Sequence, residues 1–245
     1  MITRSEANYK PSYLAFKASS YYQKKVSNKF PINPVKLAYN ISQNQPDPIY
    51  KIQAVELENF TAGLFYIKKK KSWIILYNKH LSQARINFSI AHEIGHYFMH
   101  RNLNNDPSTS LPRNSDLEKE ADLFASSLLI PSDNFICFIK GKRINKKFFN
   151  DIVNKYNVSL TASILKWLEI TFFNAFLIVE KDNKVIWSKI SNKFTAHHMF
   201  IKKNSDFDII NNKLKVAKYK NYITYGNNKS KAIIRLYLKR EQIII

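Results

Sequence analysis

His92-Glu93-Ile94-Gly95-His96 is the stretch of this 245-residue chain whose residue types and spacing could do chemistry. Residues four apart on a helix lie nearly one above the other. Both imidazoles can therefore donate nitrogens to a single Zn²⁺ at about 2.0–2.1 Å. Glu93 is offset by roughly 100° of helix rotation, which suits it to act on a water at the metal rather than to bind the metal itself. The chemistry implied is metal-assisted hydrolysis, with Glu93 as the catalytic acid/base and His92 and His96 as ligands. The flanking residues Ile90, Ala91, Ile94, Gly95, Tyr97 and Phe98 are uncharged, as expected of a helix buried in a core. The competing structural reading is a pair of core histidines satisfied by backbone carbonyls.

A catalytic zinc takes three protein ligands and keeps one position open. A third ligand on the same helix in the metzincin pattern would need Gly at 99 and His at 102, where the chain has Met99 and Asn102. The next helix offers Asp116, Glu118, Glu120 and Asp122. Ser115 and Glu118 have the spacing of a capping box, and Asp116 sits in the first turn, where the helix dipole favours an anion. Glu120 has no such local role and shares a stripe with Phe124, so it is expected either as the third ligand or in a buried salt bridge. Asp122 is placed to orient a ligand histidine from behind, or else to be a solvated carboxylate. His100, one turn past His96, either lines the cleft or caps the helix. His80, His197 and His198 lack ligand spacing and read as surface residues.

These side chains need scaffolding. Apolar spacing predicts helices over 12–29 and 35–41, then strands over 49–55, 62–68 and 73–77, with the Lys68–Lys71 run as a solvated turn. The motif helix should run from Leu81 to Arg101, and a second helix from Ser115 to a stop at Pro131, its stripe formed by Leu117, Ala121, Phe124, Ala125 and Leu128. Helix returns over 144–170, followed by strands over 175–180 and 184–190 and a strand-like alternation over 206–245. Cys137 lies in the apolar run 135–139 and is expected as a buried small hydrophobe. The terminal Ile243-Ile244-Ile245 calls for a cover.

Residues 88–100 (Phe-Ser-Ile-Ala-His-Glu-Ile-Gly-His-Tyr-Phe-Met-His) and 118–131 (Glu-Lys-Glu-Ala-Asp-Leu-Phe-Ala-Ser-Ser-Leu-Leu-Ile-Pro) resemble the ImmA/IrrE family of bacterial metallo-endopeptidases. The likeness extends more loosely over 12–190. It implies an α+β, gluzincin-like zinc peptidase core with a small antiparallel or mixed sheet on the H-E-x-x-H helix, and a ligand glutamate that falls on Glu120. It also implies a cytoplasmic helix-turn-helix repressor as the protein substrate. The expected organisation is a helical lead-in (1–30), the zinc core (31–140), a helical segment resembling a helix-turn-helix (141–172), and a strand-rich region without recognised counterpart (173–245).

Composition is globular, with 45% apolar residues and only four Gly. No apolar leader or membrane-length span is present, and one cysteine cannot form an internal disulfide, so a cytoplasmic location is expected. A net charge of +21 attracts anionic partners, but only seven of the 39 basic residues are Arg, the side chain favoured for phosphate and base recognition. Nucleic-acid binding is thus a rival rather than the leading expectation. On that view the chain is a DNA-binding regulator or toxin–antitoxin component that retains a metallopeptidase-like scaffold, with Tyr156–Ala162 as the helix-turn-helix turn. The apolar residues Ile152, Val153, Val158, Leu160, Ile164, Leu165 and Leu168 account for that segment equally well as a packed helical pair.

Overall fold

A computed structural model of the chain describes residues 10–56, 58–103, 115–192, 203–206, 208, 219–227 and 232–239. The chain divides into two compact units, one of residues 1–140 with 151–159 and the other of residues 141–150 with 160–245.

The first unit opens with α1 (Pro11–Lys25), begun by a proline whose missing N–H costs nothing in a first turn, and closed by Lys24 and Lys25 at the negative end of the helix dipole. α1 buries Leu14, Ala15, Ala18 and Tyr22. The next helix, α2 (Pro34–Ser42), is capped by Asn33, whose side chain accepts a hydrogen bond from the Lys36 N–H at 3.0 Å. Strands β1 (Ile49–Val55), β2 (Ala62–Ile67) and β3 (Ser72–Asn78) form a mixed sheet in the order β1-β3-β2, with β1 parallel and β2 antiparallel to β3. Lys68–Lys70 form an exposed 3-10 turn between β2 and β3, and Lys71 follows at φ 47°.

Helix α3 (Gln83–Met99) packs on β2, β3 and α4 (Ser115–Leu129), while α1 packs on α4. Ile90, Ala91, Ile94 and Tyr97 of α3 are at most 1% exposed, so the motif helix is a core helix. Its C-terminal end is held by a buried network absent from the sequence reading. Arg101 donates to the Tyr97 carbonyl (2.9 Å) and to Gln45 (3.1 Å), and its guanidinium lies over the Tyr97 ring. Asp47 accepts from the Trp73 indole at 3.1 Å, with Arg101 Nε 3.4 Å away. Strand β3, the α2–β1 loop and α3 are thereby joined through paired polar groups, which stops each from being a buried liability.

Pro131 ends α4 and starts a further helix, α5 (Ser132–Ile139), for which the apolar spacing gives no sign. α5 turns Phe135 into the core, and Cys137, about 200° further round, is exposed; the expectation of a buried thiol is corrected by this geometry. The last turns of α6 (Lys146–Tyr156) belong to the same unit, where Tyr156 packs edge-on to Phe30 and donates to Asn134 at 2.7 Å.

In the second unit α7 (Leu160–Ile170) buries Ile164, Trp167 and Leu168 and packs on β4 (Ala175–Lys181). With β5 (Lys184–Ile190), β6 (Tyr219–Asn227) and β7 (Ala232–Lys239), β4 forms an antiparallel sheet in the order β5-β4-β7-β6. Asp182 and Asn183 join β4 to β5, both at positive φ, the two-residue hairpin geometry for which Asp and Asn are suited. Ala175 to Glu180 are all buried, and Glu180 meets Arg235 of β7 at 2.7 Å. His197, His198 and Ile243–Ile245 lie outside the described residues. No single helix among the described residues is long and apolar enough to cross a membrane.

Candidate metal centre

Four residues apart on α3, His92 and His96 point their rings at one place, with Nε2 to Nε2 at 3.0 Å. Helix α4 brings Glu118 to the same place, one carboxylate oxygen 3.3 Å from His92 Nε2 and the other 3.5 Å from His96 Nε2. Donor atoms bound to one zinc at about 2.0–2.2 Å in a tetrahedron are separated by about 3.3–3.5 Å. The two edges made by Glu118 fit that triangle and the edge between the imidazoles is about 0.3 Å shorter; His92, His96 and Glu118 are the described residues that the structure gathers as a potential metal site.

The outer nitrogens explain why the inner ones are available. His92 Nδ1 lies 2.8 Å from Asp122 Oδ1, so the ring donates its Nδ1–H there and turns the Nε2 lone pair inward. His96 Nδ1 likewise lies 2.8 Å from His100 Nδ1. With both rings neutral, two lone pairs face each other beside a carboxylate, a set that a cation satisfies, whether a proton on His92 or a metal ion. Electrostatics separate the two rings, holding His92 toward its charged form and His96 neutral. Burial pushes the His92 imidazole down, but the hydrogen bond to Asp122 and the charges of Glu93, Asp122 and Glu118 outweigh it and leave the pKa raised above 6.5. His96, pushed down to about 3 by burial and by the neighbouring His92 and His100, is neutral and able to ligate at neutral pH.

Glu120, expected as the third ligand, is not gathered with the pair. Its side chain is half exposed, and its carboxylate accepts from His100 Nε2 at 2.9 Å. Glu118, expected only to cap its own helix, has its carboxylate against the imidazoles. Asp122 stands behind His92, and His100, 2% exposed, stands behind His96. His80 is at the surface, paired with Glu56.

Glu93 is 7% exposed and lines a cleft of about 440 Å³ together with His92, His96, Glu118 and Asp122. The opposite wall is Asn59 to Phe65, which includes most of β2. Among the described residues β2 pairs with β3 alone and is an edge strand of its sheet, and its residues Ala62 to Phe65 line the cleft. An extended peptide could add there as a further strand beside Glu93.

The matches to known proteins bear on this centre. A solved structure described as a Mycobacterium tuberculosis transcriptional regulator aligns over 96% of this chain and 78% of its own, with a TM-score of 0.58 and 10% sequence identity, a likeness of fold. No curated protein sequence matches the chain. Residues 49–166, which hold both histidines, Glu93, Glu118 and the wall strand β2, match the model of a peptidase family described as the IrrE N-terminal-like domain. Residues 49–166 thus form a domain of the ImmA/IrrE family.

Proposed function

We propose that this protein is a zinc-dependent endopeptidase in which His92, His96 and Glu118 hold the metal and Glu93 is the general base and acid. The convergence of two Nε2 atoms and one carboxylate, with edges of 3.0–3.5 Å beside a buried Glu93, is the observation that supports it. Zinc bound there supplies Lewis acidity, which polarises the scissile carbonyl and makes water a better acid. Glu93 takes a proton from the attacking water on a carboxylate oxygen and passes it to the leaving amine, so that one water is consumed per peptide bond cut. Asp122 holds His92 in the tautomer that ligates. The β2 edge aligns the peptide main chain past Glu93, and the apolar side chains of Phe60, Leu64, Phe65 and Phe88 line the cleft beside it.

The substrate proposed is a helix-turn-helix repressor, in keeping with the family, and the setting proposed is the cytoplasm. The test is co-expression of the full chain with the repressor encoded beside it and mass spectrometry of the fragments. Zinc-dependent cleavage lost in Glu93→Gln, with zinc content retained, is the expected result. Cleavage that proceeds normally in that variant refutes the role of Glu93.

The charge of +21 supports a second reading, a nucleic-acid-binding regulator. Duplex affinity that falls steeply with salt and persists after zinc removal would favour it. Helix α7 gives it little help: Trp167 and Leu168 are buried, and the buried Lys166 ammonium is tied to Glu169 at 3.0 Å.

A further inference from the structure

Two ring nitrogens at 2.8 Å require one proton between them, and this fixes more than the pair itself. With His96 Nε2 turned to the metal, the only proton of that neutral ring is on Nδ1, so His100 Nδ1 must accept it. The His100 proton then sits on Nε2, where Glu120 Oε2 lies 2.9 Å away. Every proton in the row Glu120–His100–His96 is thereby assigned, and its direction runs from the metal to a carboxylate on α4. His92 is backed by a carboxylate directly. In the structure His96 is backed by another ring, and the spacing of four residues between His96 and His100 places that ring on the same face of α3.

We propose that Glu120 and His100 are positioning residues that act in series, setting the tautomer and ring orientation of His96 and so the affinity of the site for zinc. The proposal rests on the ligand set argued above, and it gives Glu120 a role one ring removed from the metal. A carboxylate behind a ligand histidine raises its basicity and holds its plane, and loss of such a partner lowers metal affinity by about 10–100-fold. Here the effect must pass through a buried imidazole, so it depends on which His100 nitrogen carries the proton.

The test uses the full-length protein loaded with zinc. Chelator competition gives the zinc affinity, and long-range ¹H–¹⁵N NMR correlations give the histidine tautomers. In the unaltered protein one zinc per chain is expected, with His96 protonated at Nδ1 and His100 at Nε2. Glu120→Ala, on a half-exposed side chain, should weaken zinc by about 10–100-fold and release His100 from the single tautomer. Glu120→Gln keeps an acceptor and should fall between the two. Asp116→Asn removes an equal charge from the same helix and should change neither readout. The relay is overturned alone if Glu118→Ala loses zinc while Glu120→Ala keeps full affinity and an unchanged tautomer, or if Asp116→Asn weakens binding as much as Glu120→Ala. It is also overturned if Glu120→Ala abolishes stoichiometric binding while Glu118→Ala retains it, since Glu120 would then be a ligand. A chain that binds no zinc at all overturns both the relay and the metal site beneath it.

Discussion

Gly95→Ala tests the packing on which the centre depends. Gly95 lies between Glu93 and His96, where α3 approaches α4. A methyl group there would meet Phe124 Cδ1 at 3.2 Å, the Ala121 Cα at 3.3 Å and Phe124 Cβ at 3.3 Å. Unstrained carbon contacts lie at about 3.5–4.0 Å, so the neighbours must retreat by about 0.3 Å. The Phe124 ring can turn, but Ala121 Cα is backbone and moves only if α4 moves. Glu118 and Asp122 flank Ala121 in sequence and travel with it. Overpacking of this kind costs about 1–3 kcal/mol, while replacing a mid-helix glycine by alanine returns about 1 kcal/mol. The net loss of stability should therefore be modest, between about 0 and 2 kcal/mol. Zinc affinity should fall more clearly, because a retreat of α4 opens the 3.3 and 3.5 Å edges that Glu118 makes with the imidazoles. Urea unfolding of the metal-free protein and chelator competition for zinc measure the two effects separately. A variant that gains the full helix-propensity increment and binds zinc as before would show that α3 and α4 are not in the close contact described.

Three further outcomes are expected. Asp122→Ala leaves the Nδ1–H of His92 without its acceptor, and zinc affinity should drop by about 10–100-fold with the helical content unchanged by circular dichroism. Arg235→Met strands the buried Glu180 carboxylate and should cost about 3–5 kcal/mol in urea unfolding, most of it recovered when Glu180→Leu is added. Tyr237, 1% exposed and stacked on Phe176 with ring centroids 5.0 Å apart, is pushed up to about 12 mainly by burial, with Arg235 opposing and Glu180 assisting. Its neutral form is favoured in the fold, so its contribution is intact below the unfolded value near pH 10 and is lost as pH rises from there through about 12, at most about 3 kcal/mol. Unfolding free energies across that range should fall less steeply in Tyr237→Phe; equal slopes would refute the assignment.

Much of this architecture is written locally. The strands expected at 49–55, 62–68 and 73–77 lie at 49–55, 62–67 and 72–78, and the helix expected from 81 to 101 spans 83–99, because apolar period and turn residues act over a few positions. The H-E-x-x-H pair is legible for the same reason. α5 escaped because eight residues after a proline are too few to show a helical period, and Cys137 was misplaced with it: an apolar run reads as buried throughout, whereas a helix buries one side. The Asp47–Arg101 network joins residues 54 apart, and no local pattern announces it.

The carboxylate beside the imidazoles shows where local reading stops. At about 100° per residue, the stripe of Leu117, Ala121, Phe124, Ala125 and Leu128 has Glu118 roughly 80° to one side of its centre and Glu120 roughly 80° to the other. Both acids flank the buried face equally, so neither periodicity nor the cost of burying a charge separates them. A capping role for Glu118 does not break the tie, because a first-turn glutamate is free to turn its carboxylate elsewhere. What separates the two is the crossing of α4 over α3, which puts one flank against His92 and His96 and the other against His100. That crossing is set where Gly95 admits Ala121 and Phe124, and it is a property of two helices together that neither sequence segment contains.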